Sequence, residues 1–435
     1  MQNLNWGRYP YFSDYALHRF RNEGELKGLF KTSSRMIPIG NGRSYGDSAL
    51  ACDLIETRQH AHFLSFNAST GHLRVQAGVM LADILAVFVP RGWFLKVTPG
   101  TKLITVGGAI ASDVHGKNHH RVGCFSECVE HFRLMLPGGD IVTCSRHEHG
   151  DLFKATCGGM GLTGVILDAV IQLVKIPSHW IAQKTIKTGN LKETFDAFEK
   201  AGDASYSVAW IDCFAPAKKT GRCHLMVGEF LNHAKDREFK SNSERLGIPV
   251  DLPAGLLNKW TMRAFNCVFY NRQIAKEQKR TVSLNSFFYP LDHIKNWNRL
   301  YGKRGFTQYQ FIFPRSSSYD GLDEILKCIA LSGRGSFLAV LKLYGRENDN
   351  LLSFPMEGYS MALDFKIEQG LFSLLEKLDA IVLRHGGRVY LAKDARVPRS
   401  TFEKGYAKID RFRAIRRQYN MKQTLNSLQS LRLGL

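Results

Sequence analysis

The 435-residue chain, 44% hydrophobic and 23% charged, is long enough for two domains and has the composition of a soluble globular protein. No run of eighteen apolar residues offers a membrane span, no secretory leader is visible in Met1-Gln2-Asn3-Leu4-Asn5-Trp6-Gly7, and nine cysteines lack framework spacing, which points to a reduced, cytoplasmic protein. Lys and Arg (59) exceed Asp and Glu (39) by 20, with thirteen basic and three acidic residues in 384–435 and thirteen and six in 216–280, so an anionic partner is expected: nucleic acid, phospholipid headgroups or a phosphate-bearing substrate.

In chain order, the first informative element is Pro38-Ile39-Gly40-Asn41-Gly42-Arg43-Ser44-Tyr45-Gly46-Asp47. Leu73, Val75 and Ala77 then alternate in a short strand, and a helix is predicted over 80–89 with Leu81, Ile84, Leu85 and Phe88 on one face. A second glycine-rich segment follows, Thr105-Val106-Gly107-Gly108-Ala109-Ile110-Ala111-Ser112-Asp113-Val114-His115-Gly116. Glycine lets backbone N–H groups close on a phosphate, so two such segments predict a site for a long, doubly phosphorylated cofactor. Neither fits the Rossmann or P-loop pattern. Residues 132–136 and 141–144 flank Pro137-Gly138-Gly139-Asp140 as a hairpin, and Val165, Leu167, Ala169, Ile171 and Leu173 mark a strand that ends at the boundary residue Pro177.

Beyond it, 251–273 mixes Leu252, Trp260, Phe265 and Val268 with Lys259, Arg263 and Arg272, which suits either a membrane-interface segment or an amphipathic helix on the core. A helix over 371–384 is closed by Gly386-Gly387, a strand over 388–392 delivers Lys393-Asp394, and Ser400 with Glu403 forms a capping box for a last helix burying Phe402, Tyr406, Ile409, Phe412 and Ile415.

With these motifs in place, the chain resembles the vanillyl-alcohol-oxidase superfamily of FAD enzymes, and within it the branch that oxidises polyprenyl-phosphate-linked pentofuranoses. The marks are Gly42-Arg43-Ser44-Tyr45-Gly46-Asp47, His115-Gly116-Lys117-Asn118-His119-His120, Gln308-Tyr309-Gln310-Phe311 and Ala392-Lys393-Asp394. The resemblance implies an α+β, two-domain FAD-binding fold of the PCMH type. It comprises an FAD-binding domain over 1–177, a substrate or cap domain on an antiparallel sheet over 178–387, and a 388–435 segment returning to the FAD domain.

By the same resemblance, Pro38, Ile39, Gly40, Asn41, Gly42, Arg43, Ser44, Tyr45, Gly46, Asp47 and Ser48 line the flavin, joined by Gly100, Thr105, Val106, Gly107, Gly108, Ser112, Asp113, Val114, His115, Ile166 and Tyr390. Relatives that tether FAD through this loop often carry histidine where Arg43 stands, so non-covalent FAD is expected, with His115 beside the flavin. Three positions depart from relatives of that branch: Ala362 replaces a cysteine, Ser360 an asparagine and Phe288 a tyrosine.

Oxidising a secondary alcohol needs hydride transfer from carbon to the flavin and a base for the hydroxyl proton. Lys393, Lys342 and His115 are the catalytic candidates, and Lys117, Gln308, Gln310, Lys342, Ser360 and Lys393 the substrate-binding ones. Burial can bring a lysine near neutrality, or leave it a cation that stabilises developing negative charge; the sequence leaves both roles open. The implied reaction is oxidation at C2 of a lipid-linked sugar phosphate. Its expected partners are a separate NAD(P)H-dependent short-chain reductase that completes a ribo-to-arabino epimerisation, quinone or oxygen as electron acceptor, and the inner-membrane surface, with no nucleic acid. The rivals are a soluble sugar, alditol or aldonolactone oxidase and a basic nucleic-acid-binding protein, which leaves the glycine segments unexplained. A metal site among His115, His119, His120, Cys124 and Cys128 is disfavoured because Cys-x3-Cys has no second pair.

Overall fold

The computed structural model describes residues 4–32, 35–232, 239, 246–253 and 255–435. Residues 1–3 of the opening segment and 233–238, 240–245 and 254 of the basic 216–280 stretch lie outside the described residues. The chain is of mixed helix and strand. Met36–Ile39 and Ala16–His18 flank Asp53–Glu56 in a small parallel sheet. An antiparallel sheet follows in the order Phe63–Asn67, His72–Gln76, Val165–Lys175, Val129–Met135, Ile141–Ser145, with Trp93–Leu95 also pairing to Val165–Lys175.

The Val165–Lys175 strand is hydrogen-bonded along both edges, and the sheet is packed on both sides of its first half. Ile166 and Asp168 are therefore buried along with Val165, Ala169, Ile171 and Leu173, whereas Leu167 is only half-buried. Asp168 is held by Arg74 Nε at 2.9 Å and Arg133 Nη2 at 2.6 Å.

Residues beyond 177 build an eight-stranded antiparallel sheet in the order Glu277–Ser283, Trp180–Thr188, Cys223–Phe230, Tyr206–Ile211, Ala339–Tyr344, Gly358–Lys366, Phe306–Pro314, Arg388–Val389. One continuous apolar core joins it to the earlier sheets, with Leu85, Phe132 and Ile171 in the same cluster as Phe311, Leu341 and Leu363.

The 371–384 helix forms as expected, and Gly386 at φ +70° takes the left-handed turn after it. The 80–89 helix is Leu81–Phe88, tightening into a 3-10 turn at Val89–Arg91 because Pro90 has no N–H to donate. Three expectations fail, the first being the single last helix, which is two, Arg399–Gly405 and Ile409–Gln418, parted where Tyr406 leaves helical geometry at φ −124°, ψ 88°. The 388–392 strand stops at Val389, because the Tyr390 carbonyl accepts from the amides of Lys393 and Asp394, both at 3.1 Å, and folds the chain into a turn. The Ser400–Glu403 capping box does not form: Pro398 caps the Arg399–Gly405 helix without a side-chain bond, and Glu403 accepts from Arg399 at 2.8 Å and Arg413 at 2.5 Å instead.

The C-terminal basic excess is also partly paired. Arg388, Arg396, Arg411, Arg413 and Arg432 each pair with a carboxylate, which removes much of the anion-attracting field read there from charge alone.

Candidate active site

The two glycine segments meet. A Cβ on Gly40 would lie 2.4 Å from Thr105 Oγ1, so only glycine permits this approach, and Asn41 Nδ2 donates to the Leu103 carbonyl at 2.8 Å. Gly42 sits at φ +58°, the left-handed region that turns the loop back. Thr105 caps the short Val106–Ala111 helix by accepting from the Gly108 amide at 3.1 Å. Tyr45 N donates to the Ala392 carbonyl at 3.1 Å, which fastens the first segment to the Lys393 turn.

Between these segments and the eight-stranded sheet lies a cavity of about 800 Å³. Strand periodicity builds its far wall: Gln308 and Gln310, Val340, Lys342 and Tyr344, and Ser360 and Ala362 lie two apart on neighbouring strands and so share one face. The register sets Lys342 opposite Ser360, and Ala362 opposite both Gln310 and Val340. Gln310 Nε2 donates to His115 Nε2 at 3.1 Å, which places the ring proton on Nδ1. Burial and the charges of Lys342, His119 and Lys393 hold His115 neutral, well below its ordinary pKa. Its Nδ1 is buried without a hydrogen-bond partner among the described residues, a donor left for a ligand.

Three lysines converge here. Burial lowers Lys393 to about 7, with Asp364 opposing and Lys342 adding to the shift. Burial alone lowers Lys342 to about 8, and burial with Lys342 lowers Lys117 to about 7. Lys393 Nζ lies 3.6 Å from the centroid of the Tyr45 ring, and no carboxylate among the described residues forms an ion pair with it. Lys117 instead donates to the Phe287 carbonyl and lies over the Phe287 ring at 4.4 Å.

Twenty-four of the positions singled out in the sequence line this cavity, among them Arg43, Gly100, Ile166 and Tyr390, and four do not. Gly46 backs onto Asp394, where a Cβ would meet the carbonyl oxygen at 1.8 Å. Asp47 faces away, paired to Arg432 at 2.8 Å. Val106 is fully buried in the core. Asp113, at φ +39°, points into the protein and accepts from Ser353 at 2.7 Å and Asn350 at 2.8 Å. These four support the site from behind rather than lining it.

Sequence reasoning missed Asp364. It is buried, receives Gln308 Nε2 at 2.6 Å and the Tyr301 hydroxyl at 3.3 Å, and burial raises its pKa to about 7. The signal was available in the two-residue spacing Ser360, Ala362, Asp364 on one strand. Trp6, stacked on Arg43 at 4.1 Å, was also missed. The His and Cys group does not converge: His119 Nε2 meets Cys124 Sγ at 3.4 Å, whereas His120 bonds the Ala204 carbonyl at 2.8 Å.

Residues 21–145 match the family model of an FAD binding domain. Over 92% of its length, the chain is 36% identical to decaprenylphosphoryl-β-D-ribose oxidase of Mycolicibacterium smegmatis, covering 89% of that protein. The chain belongs to this oxidase family. It is thus an FAD-dependent oxidoreductase of the vanillyl-alcohol-oxidase superfamily. An uncharacterized Streptomyces coelicolor protein is 30% identical over 82% of this chain and all of its own length. L-gulonolactone oxidase of Bos taurus is 24% identical over 95% of this chain and 93% of that protein. The cavity fits FAD chemically: glycines that admit no Cβ leave backbone amides for a diphosphate, and the orphan His115 donor lies among them.

Proposed function

We propose that this member of the oxidase family oxidises the C2 hydroxyl of a polyprenyl-phosphate-linked pentofuranose to the 2-keto sugar. The convergence of Lys117, Lys342 and Lys393 in the cavity that both glycine segments line carries this reading, because one site then offers a base and an anion-binding wall. Bound FAD supplies the two-electron acceptor for the hydride leaving C2. The glycine-segment amides and His115 Nδ1 hold it without a covalent bond, since Arg43 cannot form the histidyl tether. Acid precipitation is expected to release the yellow cofactor to the supernatant; colour left in the pellet contradicts this.

Lys393 takes the hydroxyl proton, because its pKa of about 7 keeps a large neutral fraction near neutral pH. Lys342 and Lys117, with Gln308, Gln310 and Ser360, hold the sugar hydroxyls and the phosphate. A bound phosphate raises both lysines back toward the charged form and so strengthens its own binding. Phe288 and Tyr344 line the cavity beside them and exclude water.

The keto product passes to a separate NAD(P)H-dependent short-chain reductase, which gives the arabino epimer, and electrons leave to a quinone or oxygen. The reading places the chain in the cytoplasm at the inner membrane. It also assigns 1–177 to the flavin, 178–387 to the substrate and 388–435 to closing the site behind Lys393.

Incubation with a lipid-phosphate ribofuranose and an acceptor dye, coupled to such a reductase and NADPH, should yield the arabino product. Similarity to L-gulonolactone oxidase favours one alternative, a soluble aldonolactone oxidase. Faster turnover of free lactones than of the lipid-linked sugar would establish that alternative instead.

A further inference from the structure

The Lys259–Asn271 helix carries an apolar stripe on its outer face in addition to the aromatic residues it packs inward. It is well formed: Asn258 Oδ1 caps it by accepting from Trp260 N at 2.9 Å and Thr261 N at 3.1 Å. Its inner face is tied down by polar contacts, with Asn266 donating to Asp212 at 2.9 Å and the Tyr270 hydroxyl to the Thr188 carbonyl at 2.9 Å. Trp260, Ala264 and Val268, at i, i+4 and i+8, form an outward stripe, with Trp260 72% and Val268 71% exposed. Ile274, 95% exposed, follows just beyond the helix. Seven of the fifteen large exposed hydrophobic residues among the described residues fall between 246 and 274, a concentration that scattered surface apolar residues do not produce.

Charge completes the pattern. Lys259 and Arg263 lie on the helix with this stripe, Lys276, Lys279 and Arg280 follow it in the chain, and none of the five forms an ion pair among the described residues. The two acids nearby are neutralised, Asp251 by Arg8 and Glu277 by Lys184 at 2.9 Å. The helix also borders the cavity, because Phe269 and Arg272 line it from the inner side and Phe269 packs on Trp210 at 4.6 Å.

We propose that this face docks on an anionic lipid bilayer, with Trp260, Val268 and Ile274 entering the headgroup boundary and the unpaired cations meeting lipid phosphates. The cations are drawn to the negative surface potential, and the apolar stripe adds burial that salt does not screen. Docking through this helix sets the rim of the cavity against the bilayer. The inference rests on the proposed placement at the inner membrane and does not depend on which sugar is oxidised.

Sedimentation of the holoenzyme with phosphatidylglycerol-containing vesicles tests it. Wild type should bind these and not neutral phosphatidylcholine vesicles. Trp260→Glu with Val268→Glu, and separately Lys259→Glu with Arg263→Glu, should each lower partitioning by about ten-fold or more while flavin content and thermal midpoint stay at wild-type values. Equal partitioning of wild type and both variants overturns the proposal. So does a wild-type dimer in solution that the Trp260→Glu, Val268→Glu variant abolishes, which would make a second copy of the chain the occupant of the stripe.

Discussion

Replacing Lys393 with methionine is expected to leave FAD bound and to lower kcat by about 10²- to 10⁴-fold, the range for loss of a positioned general base. Methionine keeps an unbranched chain over the Tyr45 ring, where Lys393 Nζ lies 3.6 Å from the centroid, so packing survives while the proton acceptor is lost. The pH dependence separates the two roles open to this lysine. Burial favours the neutral amine and lowers the pKa to about 7. A base works in the neutral form, so wild-type kcat/KM, which reports the free enzyme, should rise through pH 7 and level off above it. A cation that stabilises charge would give the opposite limb. Steady-state rates across pH, normalised to flavin absorbance, decide the matter, and wild-type rates from Lys393→Met would remove the residue from the mechanism.

Arg432→Met should be the most destabilising single change near the site. Arg432 bridges two buried carboxylates, Asp47 at 2.8 Å and Asp394 at 2.9 Å. Asp47 belongs to the first glycine segment and Asp394 adjoins Lys393, so this one guanidinium clamps cofactor loop to catalytic turn. Removing it leaves two unpaired buried carboxylates that repel each other, at a cost of about 3–5 kcal/mol. Burial already holds the Asp47 carboxyl above its ordinary pKa with Arg432 in place, and removing the guanidinium raises it further, so the variant's deficit should be smallest in acid and grow as pH rises through that raised folded-state pKa. Thermal unfolding with and without added FAD should show a midpoint several degrees below wild type and weakened flavin retention. An unchanged midpoint would show that the clamp contributes nothing.

What was legible in the sequence follows the range of the interactions involved. The glycine segments were readable because a phosphate cradle constrains a few consecutive residues, and the 371–384 helix because its apolar period and closing glycines are local. The turn at 390–394 was not: Val389, Tyr390, Leu391 and Ala392 look like a strand, and backbone hydrogen bonds from Lys393 and Asp394 to Tyr390 end it. Asp47 and Asp113 read as cofactor ligands because they sit inside the motifs. Their partners, Arg432 and Asn350, lie hundreds of residues away, and those pairings turn both carboxylates from the cavity. Asp364 went unread for the converse reason, since its importance comes from Gln308 opposite it on the neighbouring strand.

Mixing the anaerobic holoenzyme with a lipid-phosphate ribofuranose, without any second enzyme or acceptor, tests whether the lysine-walled cavity is the place of oxidation. One equivalent of sugar should bleach the flavin band of wild type completely, and of Lys393→Met far more slowly. No bleaching of wild type, or equal bleaching of both proteins, would contradict it.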